Sequence, residues 1–369
     1  MVRHSSLSAS AAHRWLNCPK SVALSAQFPD AASSYAAEGT IAHELCAYKL
    51  GQLVKVAEPE PKGEFDSSTV DCADGYVAFV AEHLTEGSKV LIEQKVDYSE
   101  YVDVPESYGI ADCVVLGDET LTIIDYKHGV GVPVSAEYNP QLMLYALGAY
   151  SSFADLYVIN KVRLCIYQPR ISNISTFEIA LDELLRIAKE EFAPKAKLAK
   201  SDEGEFSCGD WCRFCKAKNV CRARAEANLA QARLDFPLPP TLSDTEITVL
   251  LDKVDGLIKW ATDIKDYAFD EALNHGKQWK GYKLVAGRST RKYKDENKVA
   301  EAVKSVDLDP YEHKVLGVTA MTKLLGKKKF DELLSDLIFK ADGKPTLVPE
   351  SDKRPELKAS AQDDFTQVN

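Results

Sequence analysis

The stretch GIADCVVLGDETLTIIDYKHG, residues 109–129, contains two short segments rich in β-branched residues on either side of Gly-Asp-Glu. Two such segments joined by a tight turn predict an antiparallel β-hairpin. If the chain turns near Asp118, then Asp112 and Asp125 lie almost opposite one another on adjacent strands. The segment therefore predicts two neighbouring carboxylates in a sheet whose other positions are apolar.

Lys127 adds an amine to this pair of acids. Side chains alternate between the two faces of a strand, so Asp125 and Lys127 share a face and Tyr126 points away. Burying two like charges is unfavourable unless a cation compensates them, and hard oxygen ligands favour Mg²⁺ or Mn²⁺. Such an ion would hold a water and a phosphodiester oxygen, and Lys127 could position that water. A structural ion pair in a hairpin is the alternative that the spacing leaves open.

The segments around the hairpin predict a mixed architecture. Helices are expected from Ser8, as an N-cap, and at about 35–53 and 67–86, followed by a strand at 89–98. After the hairpin we expect a helix at about 140–150, strands within 155–170 and 175–181, and a helix over 181–199. This order predicts an α/β fold of the α+β kind, a mixed sheet flanked by helices, over residues 1–230.

A second region follows the proline-rich stretch FPLPP, residues 236–240, which is typical of a boundary. Residues 231–345 predict a mostly helical domain with a long amphipathic helix at about 243–273, a basic hairpin at 279–293 and helices at about 296–304 and 318–334. Residues 346–369 are polar and predict a tail.

The charge of the chain constrains its partners. Lys and Arg total 45 against 56 Asp and Glu, a formal net charge of −11. A globally basic surface is excluded, so any contact with DNA must use local basic groups. We found no apolar run of the roughly 20 residues that span a bilayer and no apolar signal core, which predicts a cytoplasmic protein without membrane contact.

These motifs occur in an order that resembles a known group of enzymes. Gly-x-x-Asp, Ile-Ile-Asp-Tyr-Lys and Gln-x-x-x-Tyr, preceded by Gly-Thr-x-x-His at 39–43, resemble the RecB-type branch of the PD-(D/E)xK nuclease superfamily. The opening SASAAHRWLNCP and the later cysteines are similar to the CRISPR-associated iron–sulfur exonucleases. The whole arrangement resembles an uncharacterised phage-encoded family of such nucleases.

The resemblance implies a restriction-endonuclease-like PD-(D/E)xK core and assigns roles to matching residues. The catalytic residues it implies are Asp112, Asp125, Lys127, Gln141 and Tyr145. The ligands of Mg²⁺ or Mn²⁺ it implies are His43, Asp112, Asp125 and the backbone carbonyl of Tyr126, with Glu93 as an additional metal group. His128 departs from the pattern, because a small Thr or Ser is more usual there, and we expect it to contact the scissile phosphate or to be solvated.

The cysteines are distributed unevenly along the chain. Cys212, Cys215 and Cys221 have the spacing of metal ligands. From spacing alone, Cys208 could complete a zinc tetrathiolate with them. The resemblance instead implies Cys18 as the fourth ligand of a [4Fe–4S] cluster.

The sequence therefore leads to the hypothesis of a metal-dependent DNA nuclease, in the first place an exonuclease, in phage or prophage recombination or replication. A catalytically silent DNA-binding scaffold and a structure-specific endonuclease are the alternatives. The basic residues expected to contact DNA include Arg213, Lys283, Arg288 and Arg291. A phage single-strand annealing or single-strand-binding protein is the partner that the resemblance implies.

Overall fold

The computed structural model describes residues 5, 7–29, 34–62, 65–232, 243–285, 294–305, 309–311 and 315–338. The chain forms two compact units, Met1–Asp270 and Glu271–Asn369. None of the helices in the described ranges is both long and apolar enough to cross a membrane.

A single five-stranded mixed sheet organises the first unit, and its strands lie in chain order. The strands are β1 (Lys89–Asp97), β2 (Tyr108–Gly117), β3 (Thr120–Tyr126), β4 (Lys161–Gln168) and β5 (Asn173–Ala180). All neighbours are antiparallel except β3 and β4, which are parallel. A parallel pair needs a crossover connection, and a helix at Pro140–Phe153 supplies it. The mixed α/β fold, a sheet flanked by helices, is confirmed.

The hairpin between β2 and β3 has the tight turn that the sequence predicts. Gly117 pairs with Thr120, so only Asp118 and Glu119 lie between the strands. Both have positive φ, 51° and 55°, as a two-residue type I′ turn requires. This turn fixes the register of every pair that follows along the two strands.

Helices cover both faces of the sheet. In chain order, the helices up to residue 274 are α1 (Ala12–Asn17), α2 (Ser21–Ser25), α3 (Ser34–Val54), α4 (Ser67–Ala81), α5 (Ser99–Val102), α6 (Pro140–Phe153), α7 (Leu181–Ile187), α8 (Ala193–Lys200), α9 (Arg222–Ala232) and α10 (Asp244–Asn274), and α3, α4 and α6 are among those that pack on the sheet. Ile123 and the buried side of α6 belong to one hydrophobic cluster. Ile124, with α3 and α4, belongs to a second cluster on the other face. The alternation of β3 thus separates the two cores.

The N-terminal segment differs from the predicted continuous helix. A 3₁₀ turn at Ala9–Ala11 leads into α1, and α2 is separate from it. Ser8 lies at the N-cap position, but its side chain makes no capping hydrogen bond. Pro19 comes directly after Cys18, the C-cap of α1, and proline cannot continue a helix because it lacks an N–H and clashes with the preceding turn. The break leaves Cys18 between two short helices.

The second half of the chain also refines the predictions. The remaining helices are α11 (Glu296–Lys304), α12 (Val318–Leu325) and α13 (Lys327–Leu334). Gly326, with a φ of 74°, separates α12 from α13, which we predicted as one helix. Residues 276–285 contain a turn and no strand, and the rest of the predicted basic hairpin, residues 286–293, lies outside the described residues. The segment 236–240 and the tail 346–369 also lie outside them, and the predicted domain limits stay predictions.

Candidate active site

Asp112 and Asp125 lie where β2 and β3 separate. Regular pairing ends at Cys113 opposite Ile124, so the next positions in the same register are the two aspartates. The backbone N–H of Tyr126 donates to Asp112 Oδ2 over 2.8 Å instead of to a carbonyl of β2. A side chain thus replaces the sheet hydrogen bond, and both acids lie at the open end of the strand pair.

Lys127 continues the direction of β3 beyond its last strand residue. Its N–H donates to the carbonyl of Tyr167 over 2.9 Å, which extends the pairing with β4 by one residue. Its ammonium therefore lies on the same face as Asp125, with Nζ 2.8 Å from Asp125 Oδ2. The structure brings this acid and this amine together as the alternation of the strand predicts.

Helix α6 adds an amide and a phenol to this pair. Gln141 Oε1 accepts a hydrogen bond from Lys127 Nζ over 3.3 Å, and Gln141 Nε2 donates to Asp125 Oδ1 over 2.9 Å. The same amide donates to the hydroxyl of Tyr145, one turn further along, over 3.1 Å. Asn139 caps the helix by accepting from the N–H of Gln141 over 3.0 Å, which fixes where the amide emerges.

Gly109, in β2, has no side chain, and this leaves room for the ring of Tyr145. A Cβ at Gly109 would lie 2.6 Å from Tyr145 Cε1, shorter than any normal contact. A side chain at this position would displace Tyr145 and, through it, Gln141. The glycine at the start of the motif is therefore required by packing rather than by backbone conformation.

Asp125 is the most deeply buried charge of the site. Its side chain is 2% exposed, and burial raises its pKa to about 6 although the ammonium of Lys127 acts in the opposite direction. Oδ2 forms an ion pair with the ammonium of Lys127 at 2.8 Å, and Oδ1 accepts from Gln141. Burying a charged acid is unfavourable unless a cation compensates it, and the ammonium of Lys127 does so here.

Lys127 is held in its charged form. Burial acts to lower its pKa, but the charges of Asp125 and Asp112 outweigh that effect and leave the pKa above the ordinary value. The amine is therefore a proton donor and a source of positive charge at neutral pH. It can stabilise negative charge that develops on a bound substrate.

Three residues that can ligate a metal converge at one point, and Asp112 is one of them. Ligand atoms of His43, Glu93 and Asp112 all lie within 4.8 Å of one another, and His43 Nδ1 is 3.4 Å from Asp112 Oδ1. Asp125 is not part of that group, because its oxygens face Lys127 and Gln141. Imidazole and carboxylate oxygens are suitable ligands for Mn²⁺, and the carboxylates are suitable for Mg²⁺.

The positions of Glu93 and His43 have local causes. Glu93 has a φ of 46°, and it is left out of the pairing between Ile92–Cys113 and Gln94–Ala111, directly opposite Asp112. Burial, and next the charge of Asp112, raise the pKa of Glu93 to about 7. Burial acts to lower the pKa of His43, but its contact with Asp112 and the charges of Asp112 and Asp125 together outweigh burial, and the pKa is raised. The negative charge of Asp112 contributes to both shifts.

Tyr126 separates the charged face from the second core. Its ring is buried against Tyr76 at a centroid distance of 5.4 Å and against the ring of His43 at 5.3 Å. The side chain thus points away from Asp125 and Lys127, as predicted. It also supports the helix that carries His43.

His128 has a different environment from the one expected. Its side chain is 5% exposed, so it is not solvated, and its Nδ1 lies 2.9 Å from the hydroxyl of Tyr126. Its Nε2 lies 3.4 Å from Glu38 Oε1, and the same oxygen accepts from Arg170 over 2.8 Å. Burial, followed by the charge of Arg170, lowers the pKa of His128. This connection between α3, β3 and the β4–β5 turn had no signal in the sequence, because its members are far apart along the chain.

The cysteines form a second candidate site. Cys18, Cys212, Cys215 and Cys221 line a small cavity of about 20 Å³, together with Arg14 and Arg224 among other residues, and Cys208 is not among its lining residues. The N–H of Ser207 donates to Cys18 Sγ over 3.4 Å, and Cys215 Sγ lies 3.5 Å from Ser25 Oγ. No three described thiols come within 4.8 Å of one another.

Cys208 lies at the edge of this region. Its Sγ is 3.9 Å from Cys212 Sγ, and that hydrogen bond lowers the pKa of Cys208 to about 7. A tetrathiolate zinc ion would bring every pair of sulfurs to roughly 3.8 Å, given Zn–S bonds of about 2.3 Å. One pair meets that distance here, whereas the four thiols together do not.

The predicted DNA-contacting residues fall in three places. Arg213 is exposed, and one of its guanidinium nitrogens lies 3.7 Å from where a Cβ of Gly131 would be. Lys283 is exposed in the second unit. Arg288 and Arg291 lie outside the described residues.

Fold and site define a mixed α/β protein with a cluster of acids, a histidine and a lysine at the open end of its central strand pair. Residues 4–355 match the family described as "Protein of unknown function (DUF2800)", and the chain belongs to that family. Among solved proteins, the one titled "Crystal structure of SSO0001" aligns with 60% of this chain and 89% of its own, at 14% identity and a TM-score of 0.29.

Proposed function

We propose that this protein is a metal-dependent DNA nuclease of the RecB-like PD-(D/E)xK type, and in the first place an exonuclease. The observation that carries the proposal is the convergence of His43, Glu93 and Asp112, whose ligand atoms all lie within 4.8 Å of one another and give a divalent ion a place. The buried ion pair of Asp125 and Lys127, 2.8 Å apart, supports it, since it keeps the second acid and the amine together on one face of β3.

The residues that would hold Mg²⁺ or Mn²⁺ are His43, Glu93 and Asp112, with Asp125 and the carbonyl of Tyr126 beside them. The chemistry that such an ion supplies when bound is the activation of water and the polarisation of a phosphodiester oxygen. Glu93 takes a larger part in this proposal than the sequence motifs indicate, because the irregular backbone of β1 brings it opposite Asp112.

The other residues of the site have separate roles in this proposal. Lys127 carries a positive charge that can offset the charge developing on the phosphate. Gln141 fixes both Lys127 and Asp125, so that neither needs to reorganise when a substrate binds. Tyr145 holds the amide of Gln141 in that orientation. These contacts support a site that is organised before the substrate arrives.

The test is digestion of end-labelled linear DNA with Mg²⁺, Mn²⁺ or EDTA. We expect digestion only with a metal, and no digestion by the variant Asp125→Asn. Asp118→Asn is the matched control, since it makes the same chemical change in the turn of the same hairpin, where asparagine accepts a positive φ. DNA binding without digestion by the wild-type protein would instead favour the silent scaffold.

Closed circular DNA separates the two kinds of nuclease. An exonuclease spares closed circles, whereas a structure-specific endonuclease cuts a circle that carries its target structure. Digestion of such circles at a rate similar to that of linear DNA would reject the exonuclease form of the proposal and keep the site chemistry.

The cysteine-lined cavity supports a second part of the proposal, a [4Fe–4S] cluster held by Cys18, Cys212, Cys215 and Cys221. These four line one cavity and Cys208 does not, which favours the set that includes the distant Cys18 over the local zinc set. Iron and sulfide content after anaerobic purification tests this assignment. We expect loss of iron in Cys18→Ala and retention in Cys208→Ala. Loss only in Cys208→Ala, or stoichiometric zinc in place of iron, would reject it.

The partner stays a proposal that rests on the resemblance alone. A phage single-strand annealing or single-strand-binding protein would act on the strand that an exonuclease exposes. Co-purification of the two proteins with DNA absent would be the direct observation for such a complex.

A further inference from the structure

The loop after the lysine of the candidate site is held in a fixed shape. Gln168, at the end of β4 and 2% exposed, donates from Nε2 to the carbonyl of Gly129 over 2.7 Å and to that of Val132 over 3.1 Å. Its Oε1 accepts from the N–H of Val134 over 3.2 Å. One buried amide thus satisfies three backbone groups of a loop that begins two residues after Lys127.

The fixed loop presents apolar side chains outward. Val130 is 52% exposed and Val132 is 40% exposed, on either side of Gly131. Exposed valines in a loop held by buried hydrogen bonds cannot turn inward without breaking those bonds. They form an apolar patch on the loop that follows Lys127.

A turn of the cysteine segment, residues 208–221, lies against the same loop. The 3₁₀ turn Asp210–Phe214 brings the guanidinium of Arg213 to 3.7 Å from the Cβ position of Gly131. Phe214 is 81% exposed, and its ring centroid lies 5.7 Å from the Arg213 guanidinium carbon. Asp210, the acid of the turn, points toward His13, whose Nε2 lies 3.9 Å from Asp210 Oδ2.

The other aromatic residue of this turn has a structural role. Trp211 donates from its indole N–H to the carbonyl of Ser207 over 2.9 Å and packs edge-on against His13 at 6.0 Å. Phe214 has no such contact with the core, and its only ring contact that the structure describes is with the arginine beside it. Together, the exposed ring of Phe214 offers a flat apolar face and the guanidinium of Arg213 offers a positive charge. These are the two features that bind an unpaired nucleotide.

We propose that Phe214 and Arg213, with Val130 and Val132, form a binding surface for a single DNA strand that leads to the candidate active site. The ring of Phe214 stacks on a base, and Arg213 pairs with the phosphate next to it. This inference rests on the proposed nuclease function and deepens it, because it names a single-stranded end as the substrate. Inside a duplex the bases are stacked on each other, so only the outer faces of the two terminal base pairs would be open to Phe214, whereas every base of a single strand is accessible.

The test is fluorescence anisotropy of an end-labelled single strand and of a blunt duplex, in EDTA so that no strand is cut. Stacking on one base contributes about 1–3 kcal/mol, so Phe214→Ala should weaken single-strand binding roughly 5- to 150-fold and leave its salt dependence unchanged. Arg213→Ala should weaken binding and reduce the slope of log K against log salt by about 0.7. Phe214→Trp should bind at least as tightly as the wild type.

Two controls keep the result specific. Leu156→Ala removes an apolar side chain that is 75% exposed, and Arg186→Ala removes an exposed arginine elsewhere, and both should bind as the wild type. Phe214→Leu keeps the apolar volume without the ring, so it should behave as Phe214→Ala even where the alanine variant loses iron or stability.

Wild-type affinity in both Phe214→Ala and Phe214→Leu would overturn the proposal. Equal weakening for the single strand and the blunt duplex would overturn it as well, since the surface would then be a general contact. Failure of the nuclease proposal would give a different result. The wild-type protein would then show no metal-dependent digestion, while single-strand binding would still depend on Phe214.

Discussion

The charged site between β2 and β3 and the cysteine-lined cavity both consist of residue types that bind metals, but the fold prepares them differently. In the first, the side chains already contact one another: Gln141 links Lys127 and Asp125, and His43 lies 3.4 Å from Asp112. In the second, four thiols line a common cavity, and no three of the described thiols come within 4.8 Å of one another. The first site lies on regular strands and a capped helix, whereas the second lies on short turns, with Cys18 contributed from far away in the chain.

This difference implies that the two sites should respond differently to substitution. A change in the charged site should reduce chemistry and leave the fold in place. A change in the cysteine region should reduce stability, because a metal group bound by these cysteines would join distant parts of the first unit.

Replacing the amine of the charged site should have the largest effect. We expect Lys127→Met to lower the rate of DNA digestion by about 10²- to 10³-fold, since removing one preorganised source of positive charge typically has a cost of that size. Single-turnover digestion with saturating metal measures it. Lys195→Met, at an exposed lysine of α8, should digest at the wild-type rate. A lysine that only stabilises the hairpin would instead give normal digestion at low temperature.

Removing the distant thiol should lower stability. If Cys18 closes a cluster with the later cysteines, Cys18→Ala removes a long-range cross-link whose contribution can reach roughly 5 kcal/mol. Denaturant unfolding under anaerobic conditions measures the apparent loss, with Cys208→Ala as the matched variant. Equal stability of the two variants would show that Cys18 closes nothing.

The ion pair that joins α10 to the cysteine segment should come next. Asp263 Oδ2 lies 2.8 Å from Arg224 NH1, and the two side chains are only 12% and 7% exposed. Asp263→Asn leaves the arginine without its partner, which typically destabilises a protein by about 3–5 kcal/mol. Urea unfolding should show this loss, whereas Glu190→Gln, which breaks the exposed pair with Arg186, should change stability by less than about 1 kcal/mol.

The pH dependence of this pair has a definite sign. Burial acts to raise the pKa of Asp263, but the hydrogen bond with Arg224 and the positive charges of Arg224, Lys218 and Lys259 together outweigh burial, and the pKa is lowered in the folded state. The unfolded state therefore binds the proton more readily, and the contribution of the pair is lost as the pH falls through the folded pKa. The stability difference between wild type and Asp263→Asn should be largest at neutral pH and shrink below about pH 4. A difference that grows on acidification would contradict this assignment.

The smallest effect is expected at His128. His128→Leu removes the hydrogen bond to the hydroxyl of Tyr126 and should lower stability by about 1 kcal/mol. In a double-mutant cycle, Tyr126→Phe should cost less in the His128→Leu protein than in the wild type. Additive costs would show that the two side chains do not interact.

Several features of the charged site could be predicted from the sequence alone. The register of β2 and β3 follows from a two-residue turn, so the neighbouring positions of Asp112 and Asp125 were predictable from local pattern. The shared face of Asp125 and Lys127 and the single-turn spacing of Gln141 and Tyr145 were predictable for the same reason. Each depends only on the periodicity of one strand or one helix.

Other features depend on tertiary contacts that no periodicity encodes. The positive φ of Glu93 takes this residue out of the pairing opposite Asp112, and nothing in the local sequence indicates that irregularity. His128 faces inward because Glu38 and Arg170 meet it from two other elements. The π-helical turn at Ala188–Phe192 interrupts a segment whose pattern predicts one continuous helix. In each case packing overrides the local preference.

Mn²⁺ titration tests the central claim most directly, the claim that the acids at the open end of β2 and β3 bind a divalent ion. Isothermal calorimetry of the wild-type protein, Asp112→Asn and Asp118→Asn needs no DNA substrate. We predict a Mn²⁺ site in the wild type and in Asp118→Asn that is lost in Asp112→Asn. Binding that is absent from the wild type, or that persists unchanged in Asp112→Asn, would contradict the account.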